Sequence, residues 1–273
     1  MSDHGDGGDA PVGIFGGSGL YRLLDHVEEV ALDTPYGPPS GPVSQGEVGG
    51  RPVAFLPRHG ARHQFPPHRV NYRANLWALH HVGVRRVLGP CAAGSLRPGV
   101  RPGDVVVCDQ LVDRTTGREG TFFDGPRANH IAFADPYCPE LRQAALEAAR
   151  AGGVRALDGG TVVVVAGPRF STRAESRWYR AQGADVINMT QAPEAALARE
   201  LGLCYATLAL VTDYDTGVED LPDVAPVSQE AVFAFFEENL ERLRGVLFDA
   251  VARIAPQSRA ACGCAAAPGG ITP

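Results

Sequence analysis

The sequence predicts one α/β domain in which a mostly parallel or mixed β-sheet is flanked by helices. Short apolar segments of strand length alternate with longer segments of helical character through most of the 273 residues, and this alternation is typical of the class. Polar or glycine-rich clusters follow most of the predicted strands. Because ligands of α/β folds collect beyond the carboxyl ends of the strands, these clusters predict one shared pocket.

The first part of the chain, up to residue 110, predicts four strands and one helix. Val12–Phe15 and Pro52–Pro57 are short apolar runs, and each ends at a polar cluster that contains glycine. Tyr72–Gly83 has its apolar residues at helical spacing. Arg86–Gly89 has the character of a strand, and Val105–Cys108 is a continuous apolar run of the kind that is buried on both faces of a sheet.

The second part adds four helices and three strands. Helix-forming composition and N-cap chemistry predict the helices Pro139–Ala151, one that opens within Ser171–Glu175, Ala192–Leu201 and Gln229–Ile254. Runs of strand-forming residues predict the strands Thr161–Ala166, Asp185–Asn188 and, as one long buried strand, Cys204–Val211. The domain is therefore expected over residues 12–255, with a disordered tail at 1–11 and a flexible Ala/Gly/Pro-rich tail at 256–273.

Composition narrows the classes of partner. The net charge is −6 and no basic stripe is present, so binding of nucleic acid is not the expected role. No apolar run approaches the roughly 20 residues that span a bilayer. The first residues are acidic and glycine-rich, unlike a signal peptide. We therefore expect a cytoplasmic protein without a membrane or nucleic-acid partner.

Two aspartates, Asp213 and Asp215, follow the apolar run Cys204–Val211 and are the leading catalytic candidates. In an extended strand alternate residues share one face, so both carboxylates are expected to face one pocket. Close carboxylates repel, which raises one pKa. A carboxyl group of raised pKa suits the protonation of a purine N7. The alternatives are a solvated acidic turn and the carboxylate pair of a glycosidase.

Anion-binding chemistry is predicted in the same pocket. Arg58 and His59 follow a strand; a guanidinium offers paired donors to phosphate, and a histidine can donate or be charged. Gly16-Gly-Ser-Gly19 also follows a strand, and its backbone N–H groups can turn onto an anion, although taken alone the motif is better explained as a plain glycine-rich turn. The histidines of Arg58–His68 lack a carboxylate or thiolate partner, so no metal site is expected there.

The remaining candidates are an aromatic residue and the cysteines. Phe170 suits stacking on a planar base, but its spacing fits a core residue better. Six cysteines are scattered through the chain, and reduced, buried thiols are the expected state. Cys262-Gly-Cys264 is the exception, either an exposed dithiol or a strained disulfide. Without a CxxC pair, a structural zinc site is not expected.

Taken together, several motifs in one order resemble the 5′-methylthioadenosine phosphorylases, from about Val12 to Ile254. They are Gly16-Gly-Ser-Gly-Leu20, Pro57-Arg-His-Gly60, Val70-Asn-Tyr-Arg-Ala-Asn-Leu-Trp77, Ala93-Gly-Ser-Leu96, Pro102-Gly-Asp104, Gly167-Pro-Arg-Phe-Ser171, Gly183 to Thr190 and Thr212-Asp-Tyr-Asp215. The resemblance implies the purine nucleoside phosphorylase fold, a single domain with a mixed central sheet, assembled as a homotrimer. It implies phosphorolysis of 5′-methylthioadenosine, with inorganic phosphate as co-substrate and no cofactor.

The resemblance also implies a role for each matching residue. Phosphate would be held by Ser18, Arg58, His59, Thr190 and the backbone of Cys91 and Ala92. Adenine would be held by Phe170, Ser171, Asp213 and Asp215, and the ribose hydroxyls by Met189. The sugar's 5′ end would contact Val227, Val232, Phe233 and His130, the last lent by a neighbouring subunit.

Two features concern cysteine. Relatives commonly carry threonine where this chain has Cys91, and a thiol is a weaker donor than a hydroxyl. Either the backbone N–H of Ala92 suffices for phosphate, or phosphate binds differently. By similarity to some heat-stable archaeal relatives, Cys138 and Cys204 match a disulfide pair, and Cys262-Gly-Cys264 matches a bonded pair.

Three other functions fit parts of the pattern. A purine nucleoside phosphorylase for 6-oxopurines usually reads its base with Asn and Glu, whereas two aspartates favour a 6-amino group. A hydrolytic nucleosidase would not need Arg58 and His59. A non-catalytic nucleoside-binding trimer would not need every polar position of the pocket. Preference among 5′-substituted adenosines stays open, because one methylene contributes only about 1–3 kcal/mol to discrimination.

Overall fold

The computed structural model describes residues 10–17, 20, 23–24, 27–126, 129–216, 225–255 and 262–264. The strands, in chain order, are β1 (Val12–Gly16), β2 (Glu28–Val30), β3 (Val43–Val48), β4 (Arg51–Pro57), β5 (Arg86–Leu88), β6 (Cys91–Ser95), β7 (Val105–Val107), β8 (Gln110–Arg114), β9 (Ala156–Asp158), β10 (Thr161–Val165), β11 (Val186–Asn188), β12 (Cys204–Ala206) and β13 (Ala209–Asp213). The α-helices are α1 (Tyr72–His81), α2 (Pro139–Ala151), α3 (Arg173–Ala181), α4 (Gln191–Glu200) and α5 (Gln229–Arg253).

The strands form two mixed sheets. The first has the order β12-β5-β1-β4-β3-β2, and the second has the order β8-β10-β11-β6-β13-β7-β9. In the first sheet the four strands from β12 to β4 are parallel, while β3 and β2 run antiparallel to their neighbours. The second sheet has parallel pairs β8-β10, β10-β11, β6-β13 and β7-β9, and antiparallel pairs β11-β6 and β13-β7. The predicted α/β class with mixed pairing and flanking helices is therefore confirmed.

One pair of chain segments joins the two sheets. β5 and β12 are parallel neighbours in the first sheet, and their continuations β6 and β13 are parallel neighbours in the second. Hydrogen bonds continue through the join, from Gly89 N to Ala206 O (2.8 Å) and from Cys91 N to Leu208 O (3.1 Å). We call this four-strand unit the paired bend. The prediction of one strand over Cys204–Val211 is therefore wrong, because the run bends between β12 and β13 while both ends stay buried.

The core lies on both sides of the first sheet. Ile14 packs in a cluster with side chains of α2 and α5, and the next residue, Phe15, packs in the cluster that contains side chains of α1 and α4. This reversal from one residue to the next is the two-residue period of a strand that is covered on both faces. No helix in the described parts of the chain is long and apolar enough to cross a membrane.

The predicted tails fall mostly outside the described residues, which begin at residue 10 and, after residue 255, include only 262–264. Within the second tail, Cys264 has an exposed fraction of only 1% and belongs to the same core cluster as α2 and α5. This part of the predicted flexible tail is therefore packed on the domain, because its cysteine side chains are apolar enough to be buried with the core.

Candidate active site

A cavity of about 380 Å³ opens where several strands end. Six polar or glycine-rich clusters, each after a predicted strand, were expected to meet in one pocket. Five of them contribute to the lining: residues after β4, residues of β6, the segment after β10, the turn after β11 and the end of β13. They supply, among others, Arg58, His59, Ala92, Phe170, Ser171, Met189, Thr190, Asp213 and Asp215. For the sixth cluster, Gly17 lines the cavity, and Ser18 lies outside the described residues.

Arg58 lines the cavity, and its guanidinium also binds Glu194, which was not among the predicted site residues. Its side chain is fully buried, and Nε and Nη2 donate to the two carboxylate oxygens of Glu194 at 2.6 and 2.7 Å. Nη1 donates to Pro90 O at 3.0 Å. Burial alone would lower the pKa of Arg58, but the Glu194 carboxylate raises it above its ordinary value. A guanidinium has five N–H groups, so two remain for a ligand.

Glu194 is itself held by a buried polar network. Tyr205 donates through its hydroxyl to Glu194, and the same hydroxyl lies 3.0 Å from the side-chain oxygen of Gln191. Gln191 also binds Gly89 O through its amide nitrogen at 3.3 Å. The sequence signal for this arrangement is a glutamine and a glutamate among the otherwise apolar first eight residues of α4.

His59 is a neutral ring in this cavity. Its Nδ1 lies 2.8 Å from Phe65 O, which can only accept, so Nδ1 carries the proton. Burial and then the charge of Arg58 lower the pKa of His59 to about 3. In the neutral ring Nε2 is an acceptor, suited to the O–H of a protonated anion. Of the two predicted roles of His59, donor or cation, the lowered pKa disfavours the charged form.

Cys91 directs its thiol away from the ligand side. Its sulfur accepts from Asn188 Nδ2 at 3.1 Å and lies 3.6 Å from the Thr207 hydroxyl. The N–H of Cys91 bonds across to the β13 side, so the N–H of Ala92 faces the β11 side. Pairing of β6 with β11 covers only Gly94 and Ser95. The Ala92 N–H is thus placed to donate to an anion, whereas the Cys91 N–H is already bonded to Leu208 O.

Thr190 completes this wall. It directly precedes α4, and its side chain makes no capping hydrogen bond. Ala192 has non-helical backbone angles (φ −112°, ψ 134°), so the regular part of the helix begins beyond it and Thr190 contributes through its own hydroxyl. Thr190, Arg58 and the Ala92 N–H therefore line one side of the cavity with donors, and we refer to these residues with His59 as the anion wall.

Asp213 lines the same cavity at the end of β13. One carboxylate oxygen accepts from the Thr212 hydroxyl and the other from the N–H of Asp215, both at 2.7 Å. The pKa of Asp213 is raised to about 6, chiefly by burial, while these hydrogen bonds oppose the shift and the charge of Asp215 adds to it. The repulsion that was expected to raise the pKa is therefore the smaller cause.

Asp215 lines the same cavity, but its backbone conformation differs from the extended strand that was predicted. It lies beyond the end of β13 with φ of +51°, not in an extended strand. Burial raises its pKa, opposed by the nearby hydroxyls of Ser176 and Ser171. Its Oδ2 and the Ser171 Oγ are buried, and neither has a partner with full hydrogen-bond geometry among the described residues, although the Ser171 hydroxyl is close enough to lower the pKa of Asp215. Both residues line the cavity, so these atoms suit a ligand that supplies a donor and an acceptor.

We call Asp213 and Asp215 the carboxylate wall, and Phe170 and Met189 line the cavity with them. The exposed fraction of Phe170 is 36%, so the interpretation as a core residue is wrong and its ring face is available at the cavity. Gly167 precedes it with φ of +64°, and a Cβ there would lie 2.5 Å from the Met189 sulfur. α3 then begins after Thr172, where a capping box with Glu175 bears out the predicted N-cap chemistry.

The far end of the cavity is apolar and aromatic. Val232 and Phe233, in the first turn of α5, line it as predicted. His63, which the sequence analysis missed, stacks on His59 with ring centroids 4.5 Å apart and meets the Phe233 ring edge-on at 5.3 Å. The left-handed backbone of His63 (φ +53°) brings it into this position. The sequence signal was present as a third histidine in Arg58–His68.

Two predicted residues do not line the cavity of their own chain. Val227 is half-buried, and its N–H donates to Asp215 O at 2.8 Å, so it contributes to the carboxylate wall through its backbone. His130 is exposed in the segment between β8 and α2. A role for His130 requires a neighbouring subunit, as the resemblance implies, and stays a prediction.

Comparisons with known proteins agree with this geometry. The sequence model of the family described as "Phosphorylase superfamily" matches residues 11–254. The chain is 58% identical over 272 residues to a purine nucleoside phosphorylase of Streptomyces coelicolor, covering 97% of this chain and 96% of the relative. It is 55% identical over 241 residues to an S-methyl-5′-thioadenosine phosphorylase of Mycolicibacterium smegmatis, covering 88% and 90%.

A solved structure is also similar. Methylthioadenosine phosphorylase from Schistosoma mansoni, in complex with adenine, superposes with a TM-score of 0.83 at 39% identity. The match covers 89% of this chain and 91% of that one. The similarity therefore extends over nearly the whole fold that builds the cavity.

Proposed function

Because the chain belongs to the phosphorylase superfamily, we propose that its cavity binds a 5′-substituted adenosine beside inorganic phosphate and exchanges one for the other at the sugar. The chain is an S-methyl-5′-thioadenosine phosphorylase: 5′-methylthioadenosine and phosphate give adenine and 5-methylthioribose 1-phosphate. Relatives of that name at about 50–55% identity support this substrate. The single observation that carries the proposal is the half-buried Asp213, with its raised pKa, lining the same cavity as the donors of the anion wall.

The reaction breaks the bond between C1′ and N9 of adenine as a phosphate oxygen bonds to C1′. The transition state carries positive charge on the sugar, so a phosphate dianion beside C1′ is both nucleophile and counter-charge. The electron pair of the broken bond passes into the purine ring. Asp213, protonated in half of the molecules near pH 6, donates its proton to N7 and makes adenine a better leaving group.

The anion wall accounts for phosphate. Arg58 has two N–H groups beyond its bonds to Glu194 and Pro90. The Ala92 N–H and the Thr190 hydroxyl add neutral donors, and the neutral His59 accepts from a protonated phosphate oxygen. Ser18 is the further proposed ligand. Phosphate is in this proposal a co-substrate that the protein binds without a resident cofactor.

The carboxylate wall accounts for the base and the sugar. Phe170 stacks on the purine, and Asp215 accepts from the 6-amino group while Ser171 bonds to the ring. Met189 lies under the ribose hydroxyls. Val232 and Phe233 receive the methylthio group, because a thioether is apolar and polarizable, and Val227 and a neighbouring subunit's His130 complete the 5′ end.

A panel of methylthioadenosine, adenosine, methylthioinosine and inosine, each with and without phosphate, tests the proposal. Release of adenine is expected to be fastest from methylthioadenosine and to require phosphate. Undiminished release without phosphate would instead identify a hydrolase. Tight binding of methylthioadenosine with no release in either condition would identify a binding protein.

The Streptomyces coelicolor relative favours one second candidate, because it is named a purine nucleoside phosphorylase. That activity on a 6-oxopurine would place a carbonyl oxygen against Asp215, and two acceptors repel. The same panel separates the two functions. Faster phosphorolysis of inosine than of methylthioadenosine would support the second candidate and overturn the first.

A further inference from the structure

Four of the six cysteines converge far from the cavity. Cys138, Cys204, Cys262 and Cys264 bring their sulfur atoms within 4.8 Å of one another, and the sulfurs of Cys204 and Cys262 are 3.4 Å apart. Three of the four side chains are buried, and that of Cys262 is half-buried. We call this group the cysteine cluster. It lies at the start of α2 and β12, whereas the cavity lies beyond the other end of the paired bend.

We propose that the cysteine cluster is a tetrathiolate site for one Zn²⁺ ion. Tetrahedral zinc with Zn–S bonds of about 2.3 Å requires sulfur atoms about 3.8 Å apart. All four sulfur atoms lie within 4.8 Å of one another and one pair is 3.4 Å apart, a spacing compatible with that value. Two disulfides would instead divide the four atoms into two pairs, each at about 2.05 Å. Four thiolates are also the ligand set that favours zinc over calcium or magnesium.

Two of the ligands are held by the fold before any metal binds. Cys138 is the N-cap residue of α2, and its N–H donates to Tyr205 O at 2.8 Å. Cys204 begins β12, and its N–H donates to Arg85 O at 3.0 Å. These main-chain bonds fix α2 against β12, so the two sulfur atoms approach without cost to the rest of the domain. A preorganised pair of ligands raises metal affinity.

The other two ligands come from one short segment. Cys262 and Cys264 flank Gly263, whose φ of +64° is a conformation that glycine adopts without strain. That turn lets both thiols face the same point, although their C-x-C spacing differs from the usual C-x-x-C. The pairs are 58 residues or more apart along the chain, and for this reason the sequence did not predict a zinc site.

The surroundings favour thiolates. The first turn of α2 presents the positive end of its dipole to Cys138, which stabilises a thiolate. The site would fasten the segment 262–264 to the domain and contribute to stability, not to catalysis.

Metal content of the full-length protein tests the proposal. The protein is purified without a metal-affinity step, dialysed with and without added Zn²⁺, and analysed by mass spectrometry of elements. About one zinc per chain is expected, with a fall in the thermal midpoint on chelation. The double variant Cys262→Ser, Cys264→Ser should lose the zinc. Cys108→Ser, which changes a buried cysteine outside the cluster, should retain it.

A cobalt probe keeps the test independent of the folding of any variant. Wild-type protein reconstituted with Co²⁺ should show the intense visible absorption of tetrahedral cobalt bound by thiolates. An intact mass lower by four hydrogen atoms, without bound metal, would identify two disulfides and overturn the proposal. Four reactive thiols that take up neither zinc nor cobalt would overturn it as well, as would a double variant that retains zinc.

Discussion

At the scale of single residues, the active site depends on where one proton resides. Asp213 is buried enough for its pKa to rise to about 6, yet both of its oxygens accept hydrogen bonds that oppose the rise. Stronger bonds would hold the carboxylate ionised and unable to donate. Weaker ones would leave the side chain free to rotate. The arrangement combines a fixed orientation with a proton that is available close to neutral pH.

Activity should fall as the pH rises through the pKa of Asp213. The protonated carboxyl is the active form, so kcat/KM on methylthioadenosine at saturating phosphate should decline above about pH 6 or somewhat higher, since bound phosphate raises the pKa further. Asp213→Asn should be slower by roughly 10²–10⁴-fold and lose this decline. An Asp213→Asn variant with the same alkaline decline as the wild type would contradict the assignment.

Gly94→Ala should disturb the same carboxylate from the neighbouring strand. A Cβ at Gly94 would lie 2.9 Å from Asp213 Oδ1 and 3.2 Å from Asp215 Cβ, so the catalytic side chain must move. We expect kcat/KM to fall on the order of 10²-fold, as for other small misplacements of reacting groups. Gly99→Ala is the matched control, since nothing lies within 4 Å of its Cβ position. Equal activities of the two variants would contradict this account.

At the scale of secondary-structure elements, α4 links the phosphate site to the core. Its N-terminus lies at the cavity, and Glu194 in its first turn holds Arg58 with both carboxylate oxygens. Removal of one partner from a buried ion pair leaves an uncompensated charge, which is far more destabilising than loss of an exposed pair. The helix therefore determines both the position and the charge state of the phosphate-facing guanidinium.

Glu194→Gln should weaken phosphate binding and folding together. The buried Arg58 would lose its counter-charge, so the free energy of unfolding should fall by about 3–5 kcal/mol, with a raised KM for phosphate. Glu200→Gln on the same helix is the control. Among the described residues Glu200 accepts from the Thr121 hydroxyl and the Phe122 N–H, so this variant should lose about 1–3 kcal/mol of the free energy of unfolding. Urea denaturation and phosphate titration measure both effects. An unchanged KM for phosphate in Glu194→Gln would contradict the link.

The secondary-structure elements differ in how far the sequence predicts them. Long elements with clear periodicity, such as α2, were predictable to the residue. The strand β6 was not, because Cys91-Ala-Ala-Gly-Ser95 lacks the bulky residues that indicate strands. The bend after β12 leaves no mark in an apolar run whose two ends are both buried. Glu194 and the cysteine cluster depend on contacts between distant parts of the chain, which spacing alone does not reveal.

At the scale of the whole molecule, the cavity of one chain ends in an exposed region. Val232 and Phe233 cover part of the 5′ end, while His130 lies outside the lining of its own chain. The homotrimer that the sequence resemblance implies would supply the missing side through a head-to-tail interface, in which each chain lends a residue to the next. Assembly and substrate binding would then be inseparable at this end of the site.

Mixing two inactive variants should restore activity if His130 acts between subunits. His130→Ala and Asp213→Asn each disable their sites, but in mixed trimers a site can take Asp213 from one chain and His130 from another. In a random equal mixture, about a quarter of the sites should be intact. The measurement is activity after joint unfolding and refolding. Activity no higher than the average of the separate variants would contradict the intersubunit role.

The paired bend has a consequence for how this enzyme can change over evolutionary time. Ala92 and Asp213, on which the nucleophile and the leaving group depend, belong to neighbouring strands of one hydrogen-bonded ladder. Substrate preference at the 5′ end depends instead on the first turn of α5 and on a segment outside the sheets. In the proposed function, bond cleavage and preference at the 5′ end therefore depend on different segments of the chain. Substitutions in the second can change the preferred 5′ substituent while the residues that act on the broken bond stay the same.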